Sequence, residues 1–226
     1  MGEFAKALSS IGIFATPIAS GRTDTGVHAL RQPIVFDLPP FWEEQILRQN
    51  SSFLLSHLNQ KLSPYIRIKR LYRVGDDFNP RFDAVRRTYR YIVTTKPSVF
   101  CSDYATFVPY IDEKAVQDAI GAFEGVHDFG LFKKNGSKTE NDIRKIYKAS
   151  FYKKNGLYVF NFEANGFLRS QIRLSVGFLL AISEGRYTKE ELLEQLDGKK
   201  RHFSKPAPPN GLYLSRVAYD KPFLPL

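Results

Sequence analysis

The segment Gly21-Arg22-Thr23-Asp24-Thr25-Gly26-Val27-His28-Ala29 concentrates groups that can do chemistry. Asp24 is a carboxylate between two hydroxyl donors, Thr23 and Thr25, and Arg22 adds a cation. Gly21 and Gly26 bracket the polar run and permit backbone angles that other residues resist. A carboxylate on a tight loop of this kind can act as a nucleophile or as a general base. The plainer alternative is an Asx turn, with Asp24 bonding its own backbone. His28 follows Asp24 by four residues, a spacing that ligates metals on a helix, but here it falls on a loop. The other histidines, His57, His127 and His202, are scattered. His28 therefore reads as a residue that holds the loop by a hydrogen bond. There is no phosphate-cradling glycine loop and no zinc-type cysteine pattern. Cys101 is the only cysteine, which excludes an internal disulfide and suits a reducing cytosol. Without a partner pattern around it, a catalytic thiol is not expected, and Cys101 reads as buried or idle.

The chain around this loop is long enough to bury a large core: 226 residues, 43% apolar and 25% charged. No apolar run reaches the length of a membrane-spanning helix, and the first ten residues do not read as a signal peptide. The net charge is +10, with 19 Phe and 12 Tyr. Cations that neutralise phosphates, interleaved with rings that stack on bases, suit nucleic acid. Arg22, Arg31, the set Arg67, Lys69 and Arg70, and the runs Lys133-Lys134, Lys153-Lys154 and Lys199-Lys200-Arg201 are the candidate phosphate contacts. Each cluster taken alone is also what an ordinary solvated face looks like.

The elements that must position the loop follow from periodicity and capping. Phe4, Leu8 and Ile11 predict a helix over 3–11, and Ile34 to Phe36 a short strand. Leu47, Leu54, Leu55, Leu58 and Leu62 predict one helix through about residue 62. Ile66, Ile68 and Leu71 alternate with Arg67, Lys69 and Arg70, which predicts a strand with a basic face. Residues 86–95 are rich in β-formers, and 96–111 read as a crossover. Asp112 caps a helix carrying Val116, Ile120 and Phe123, with Gly125 as its stop. Asn155-Gly156 between 144–154 and 157–164 predicts a two-residue hairpin turn. Leu168, Ile172, Val176, Leu179 and Leu180 predict a helix with one apolar face, ending near Gly185. Thr188 and Glu191 form a capping box, and Leu212, Leu214 and Val217 a last strand. The fold class is α+β: two similar lobes, residues 1–100 and 101–226, with helices on a mainly antiparallel sheet.

The loop Gly21–Ala29 closely resembles the catalytic loop of the tRNA pseudouridine synthase A family, Gly-Arg-Thr-Asp-x-Gly-Val-His-Ala. Further segments resemble that family in order along nearly the whole chain. They are Leu58-Asn59 with Leu62 and Pro64; Phe78, Arg81, Phe82 and Ala84; and Arg87-Thr88-Tyr89-Arg90-Tyr91. Next come Gly125, His127-Asp128-Phe129 and Phe132, with Arg144 and Ile146. The set closes with Phe167-Leu168, Gln171-Ile172-Arg173 and Gly177, then Gly211-Leu212-Tyr213-Leu214 with Val217.

The resemblance implies isomerisation of uridine to pseudouridine at positions 38–40 of the tRNA anticodon stem-loop, without a cofactor. It also implies a cytoplasmic homodimer around a basic RNA-binding cleft, with tRNA touching both subunits and no membrane association. It makes Asp24 the catalytic carboxylate and Arg173 its partner. Desolvation disfavours the charged carboxylate, and a close arginine, able to bind it in bidentate fashion, counters that. Tyr89 matches the ring that stacks on the extruded base. Arg22, Thr23 and His28 complete the substrate-binding side. The chain departs from the family in two places. The Gly-x-x-Phe-x-Gly-Trp-Gln-like segment that usually precedes the first helix has no counterpart before Met1-Gly2-Glu3, which predicts an exposed edge on its neighbours. Arg169-Ser170 stands where the family has an aromatic or histidine followed by a basic residue. A catalytically silent RNA-binding relative is the alternative reading.

Overall fold

The computed structural model describes residues 2–134, 136, 141–221 and 223–226. In chain order the first elements are α1 (Gly2–Ser9), β1 (Ile18–Ala19), β2 (His28–Ala29), β3 (Ile34–Val35), α2 (Pro40–Gln49) and α3 (Ser51–Lys61). There follow β4 (Tyr72–Arg73), β5 (Ala84–Thr94), β6 (Thr106–Phe107), α4 (Glu113–Ile120), β7 (Gly125–Asp128) and β8 (Ile143–Lys154). The last are β9 (Leu157–Ala164), α5 (Gln171–Ser183), α6 (Lys189–Leu196), β10 (Leu212–Tyr219) and β11 (Leu224–Pro225). They form two compact units: Met1–Arg22, Pro33–Ala84 and Tyr219–Leu226 in one, Thr23–Gln32 and Val85–Ala218 in the other. These bounds differ from a division at residue 100, because β5 pairs with β9 and so brings residues 85–100 into the second unit.

In the first unit α1, α2 and α3 bury Phe4, Leu8, Trp42, Ile46, Leu54 and Leu58 in one cluster. The helix expected through residue 62 is two helices. Asn50 interrupts it with φ 66° and ψ 171°, a sparsely populated backbone conformation, and its side chain accepts from Ser52 N at 2.8 Å to cap α3. The strand expected over 66–71 does not form; only Tyr72–Arg73 pair, with Leu224–Pro225. The reason is local: the Asn59 amide accepts from Ile68 N at 2.8 Å and donates to Ile68 O at 3.0 Å. One side chain thereby takes both backbone groups that a neighbouring strand would have used.

The second unit is built on a seven-stranded sheet in the order β2-β10-β5-β9-β8-β7, with β6 also on β5. The sheet is mixed. β5, β9, β8 and β7 are antiparallel, whereas β2 runs parallel to β10 and β6 parallel to β5. Asn155 and Gly156 join β8 to β9 with φ of 51° and 77°, as the two-residue turn requires. Strand periodicity sends Tyr89, Tyr91 and Val93 to one face, opposite Phe162, Phe160 and Tyr158. Helices α4 and α5 bury their side chains in the same core. Asp112 caps α4 by accepting from Ala115 N. The α-helix tightens into a 3-10 turn over Gly121–Phe123, so the helical run ends directly before Gly125, which opens β7 with φ 109°. Thr188 and Glu191 form the expected capping box. No helix among the described residues is long and apolar enough to cross a membrane. Cys101 is exposed, not buried.

Helix α5 differs from the expected amphipathic helix: every one of its residues except Arg173 is buried. It lies so close to the following chain that a Cβ on Gly177 would stand 2.5 Å from Lys205 O and 2.9 Å from the Phe203 ring. Backbone cannot yield as a flexible side chain can. Gly177→Ala is therefore expected to lower stability by about 1–3 kcal/mol, read from urea unfolding. An unchanged midpoint would contradict this account of the packing.

Candidate active site

The loop bearing Asp24 is fixed at both ends of its second half. Asp24 O accepts from Val27 N at 3.1 Å, closing a turn. Gly26 takes φ 80°, and a Cβ there would stand 3.0 Å from Pro209. Its lack of a side chain thus serves both the turn and the close approach. Gly21 has no such role: its φ is not positive, and a Cβ there would meet nothing within 4 Å. Beyond Gly26 the chain becomes β2, in register with Tyr213 and Leu214, and Leu30 N donates to Leu214 O. His28 Nε2 donates to Asp103 O at 2.8 Å, and its ring stacks on Tyr213 at 4.7 Å. The histidine therefore pins the loop to the sheet edge, as its isolation from the other histidines suggested. Among the described residues no group of His, Cys, Asp or Glu is placed to hold a metal.

Arg173 comes from the first turn of α5. Its Nε donates to Ala207 O at 2.7 Å, while Ala207 N donates to Arg173 O at 2.8 Å. The outer end of the guanidinium then reaches Asp24: Nη1 lies 3.4 Å from Oδ2. The fork is thus divided between a carbonyl and the carboxylate and is not bidentate on Asp24. The arginine side chain is 16% exposed and the aspartate 37%, so the pair sits at the wall of the protein with its acid end open. A second donor meets the same oxygen: Ser170 Oγ, at 3.3 Å.

Tyr89 is half-buried on β5, edge-to-face with Phe167 at 5.3 Å. Burial pushes its phenol above the ordinary value. The Arg87 charge opposes this, and the Asp24 charge adds to it. Tyr91, two residues on, is a core residue: fully buried, its hydroxyl donates to Pro208 O and bonds Thr106 Oγ1, both at 2.7 Å. Burial raises its phenol further still. Thr23 is exposed, and Arg22, the last residue of its segment in the other unit, is exposed as well. Asp24, Arg173 and Ser170 are therefore brought into contact, Tyr89 lies within the field of Asp24, and Arg22 and Thr23 face solvent.

Of the basic clusters, Lys133 is paired with Asp142, Lys153 with Glu113 and Lys199 with Asp197. Sequence reasoning did not reach Ser170 or the Ala207 carbonyl. The one available signal was the Pro206-Ala207-Pro208-Pro209 run, whose fixed backbone angles make a rigid abutment for an arginine.

A carboxylate held by an arginine and a hydroxyl, on a loop pinned to a sheet edge, has the surroundings for nucleophilic or base chemistry. Residues 119–220, which include Ser170 and Arg173, match the family described as tRNA pseudouridine synthase. The chain is 43% identical over 216 residues to the tRNA pseudouridine synthase A of Wolinella succinogenes, covering 95% of this chain and 83% of that protein. It is 42% identical over 220 residues to that of Helicobacter hepaticus, covering 97% and 88%. To that of Helicobacter pylori it is 36% identical over 224 residues, covering 94% and 86%. The chain belongs to the tRNA pseudouridine synthase family.

The geometry predicts an asymmetry between the two partners. Arg173→Ala strips the carbonyl of buried Ala207 of a charged donor and should cost about 1–3 kcal/mol. Asp24→Ala removes a part-exposed ion pair and the 3.3 Å hydrogen bond from Ser170, and should change stability by less than about 1 kcal/mol. Chemical unfolding of both variants checks this, and equal losses would contradict it.

Proposed function

We propose that this chain isomerises uridine to pseudouridine in tRNA, at positions 38–40 of the anticodon stem-loop, with Asp24 as the catalytic carboxylate. The reading rests on one observation above all: Asp24 lies 3.4 Å from Arg173, in a chain whose relatives bear the name of this reaction. The reaction breaks the bond from C1′ to N1, turns the uracil, and joins C1′ to C5. The C5 hydrogen leaves as a proton and N1 gains one, so atoms and electrons balance without an oxidant or reductant. A carboxylate that acts on the ribose must keep its charge as the base covers it. Arg173 is the group that favours the charge, and its bond to Ala207 keeps it in place without an induced movement. Tyr89 offers a π-face to the extruded uracil in place of the stacking lost from the stem-loop.

Thr23 and Arg22 are exposed beside Asp24 in sequence, and we assign them to the substrate's polar edges and phosphates. His28 acts by holding the loop against Tyr213 of β10 and against Asp103. The net charge of +10 suits a polyanionic partner. We further place the enzyme in the cytoplasm and assign it a homodimeric state, on family resemblance. The silent RNA-binding alternative has no observation in its favour, since the acid, the arginine and the tyrosine are all present.

The test uses tRNA transcripts tritiated at uracil C5, from which isomerisation releases tritium to water. Asp24→Asn should reduce release by about a thousandfold or more while tRNA affinity stays within about threefold. Comparable release from the variant would remove Asp24 from the chemistry. Tyr89→Leu should lose about 5- to 150-fold in kcat/KM, the worth of one stacked base, and unchanged kinetics would remove the stacking role. Log affinity for tRNA should fall linearly with log salt concentration, and a flat line would contradict the electrostatic part of the reading.

A further inference from the structure

Ser170 precedes the first residue of α5, the place where serine ordinarily adopts an extended backbone and turns its hydroxyl onto the helix's own free N–H groups. Here it does neither. Its backbone is left-handed, φ 61° and ψ 9°, and its side chain makes no capping bond. The hydroxyl turns the other way and donates to Asp24 Oδ2 at 3.3 Å. Two ordinary sources of stability are thus given up at one residue, and the bond to the carboxylate is what stands in their place. Strain of this kind persists only where the surroundings impose it, and it gathers at functional sites.

The surroundings do impose it. Gln171, 1% exposed, accepts from Leu168 N at 2.8 Å through its side chain, while its own N donates to Leu168 O at 3.1 Å. Leu174 N donates to Ser170 O, and Lys134 N to Arg169 O. The turn 168–171 is therefore closed from inside and from a neighbouring segment, and Ser170 has no freedom to relax into an ordinary cap.

We infer that Ser170 is a positioning residue for the catalytic carboxylate. Arg173 and Ser170 both approach Oδ2, from the first turn of α5 and from the residue before it. Two donors on one oxygen fix the rotation of the carboxylate. One donor alone leaves the group free to swing, because the acid end of the pair is open. With Oδ2 occupied, the other oxygen, Oδ1, is the one presented to the ribose. This assignment rests on the reading of Asp24 as the catalytic acid.

Four variants in the full-length chain test it, with kcat, KM and Tm measured for each on the same tRNA. Ser170→Ala should lose about 3- to 10-fold in kcat, the worth of one hydrogen bond, with KM within about twofold of the parent. Ser170→Gly relieves the left-handed backbone, so Tm should hold or rise by up to about 4 °C while kcat falls as in the alanine variant. Ser170→Asn keeps a donor and tolerates the left-handed conformation, and should recover most of the rate that alanine loses. Asp24→Asn is the control and should be inactive. A glycine variant that is folded and as fast as the parent, beside an inactive Asp24→Asn, overturns the positioning role and leaves the catalytic reading standing. Turnover by Asp24→Asn overturns both.

Discussion

The guanidinium of Arg173 is the point through which the chemistry and the fold are joined. One of its nitrogens answers a backbone carbonyl at Ala207, and another faces the carboxylate of Asp24. An arginine suits this double duty because its planar fork offers donors in fixed directions and it holds its charge at any physiological pH. A lysine, with a single ammonium on a flexible stem, could serve one partner well but not hold both directions at once. Much of the second unit can be understood as what keeps that fork still. Helix α5 is buried on every side but the one that carries Arg173. Gly177 lets the 203–207 segment press against the helix, which sets the Ala207 carbonyl where the fork needs it.

The aspartate side is held by different means. A short glycine-closed turn carries Asp24, and a two-residue strand fastens the turn to the sheet edge. Two residue pairs are little to hold a strand, so the hydrogen bond and ring stacking of His28 take up part of the work. Gly26 and Pro209 are packed so closely that no side chain fits between the loop and the segment after Ala207. The same proline-rich run therefore abuts both the loop that bears the acid and the arginine that faces it. The sheet supplies the third side: the face that buries Tyr91 and Val93 in the core presents Tyr89 at its near end, half-covered by Phe167.

The legible parts were those in which a local rule and the tertiary fold agree. The Asn155-Gly156 hairpin, the Thr188–Glu191 capping box and the Asp112 cap each involve neighbouring residues only, so short-range pattern was sufficient. The pairing of Asp24 with Arg173 was expected only through the family resemblance of the whole motif, since on spacing alone an Asx turn was the plainer reading of Asp24. Failures came where a distant or side-chain partner overrode the pattern. The apolar alternation of residues 66–71 looked like a strand until the Asn59 amide took the backbone of Ile68. The helix through residue 62 hid a break because asparagine is tolerated inside a helical pattern while its side chain can also cap a new helix, as Asn50 does for α3. Ser170 was legible only as a departure from the family pattern before a helix, for its part lies in declining the usual cap, and sequence does not display a backbone angle.

The central claim is that a carboxylate steadied by Arg173 carries out the exchange of a glycosidic bond in tRNA. It is tested most directly by mapping pseudouridine in an unmodified tRNA transcript, through carbodiimide adducts that stop reverse transcription. Parent and Arg173→Ala chains are compared at a temperature where circular dichroism shows both folded. The account predicts new stops within the anticodon stem-loop for the parent and none for the variant at equal enzyme and time, with tRNA still bound by both. Full modification by the variant would contradict it.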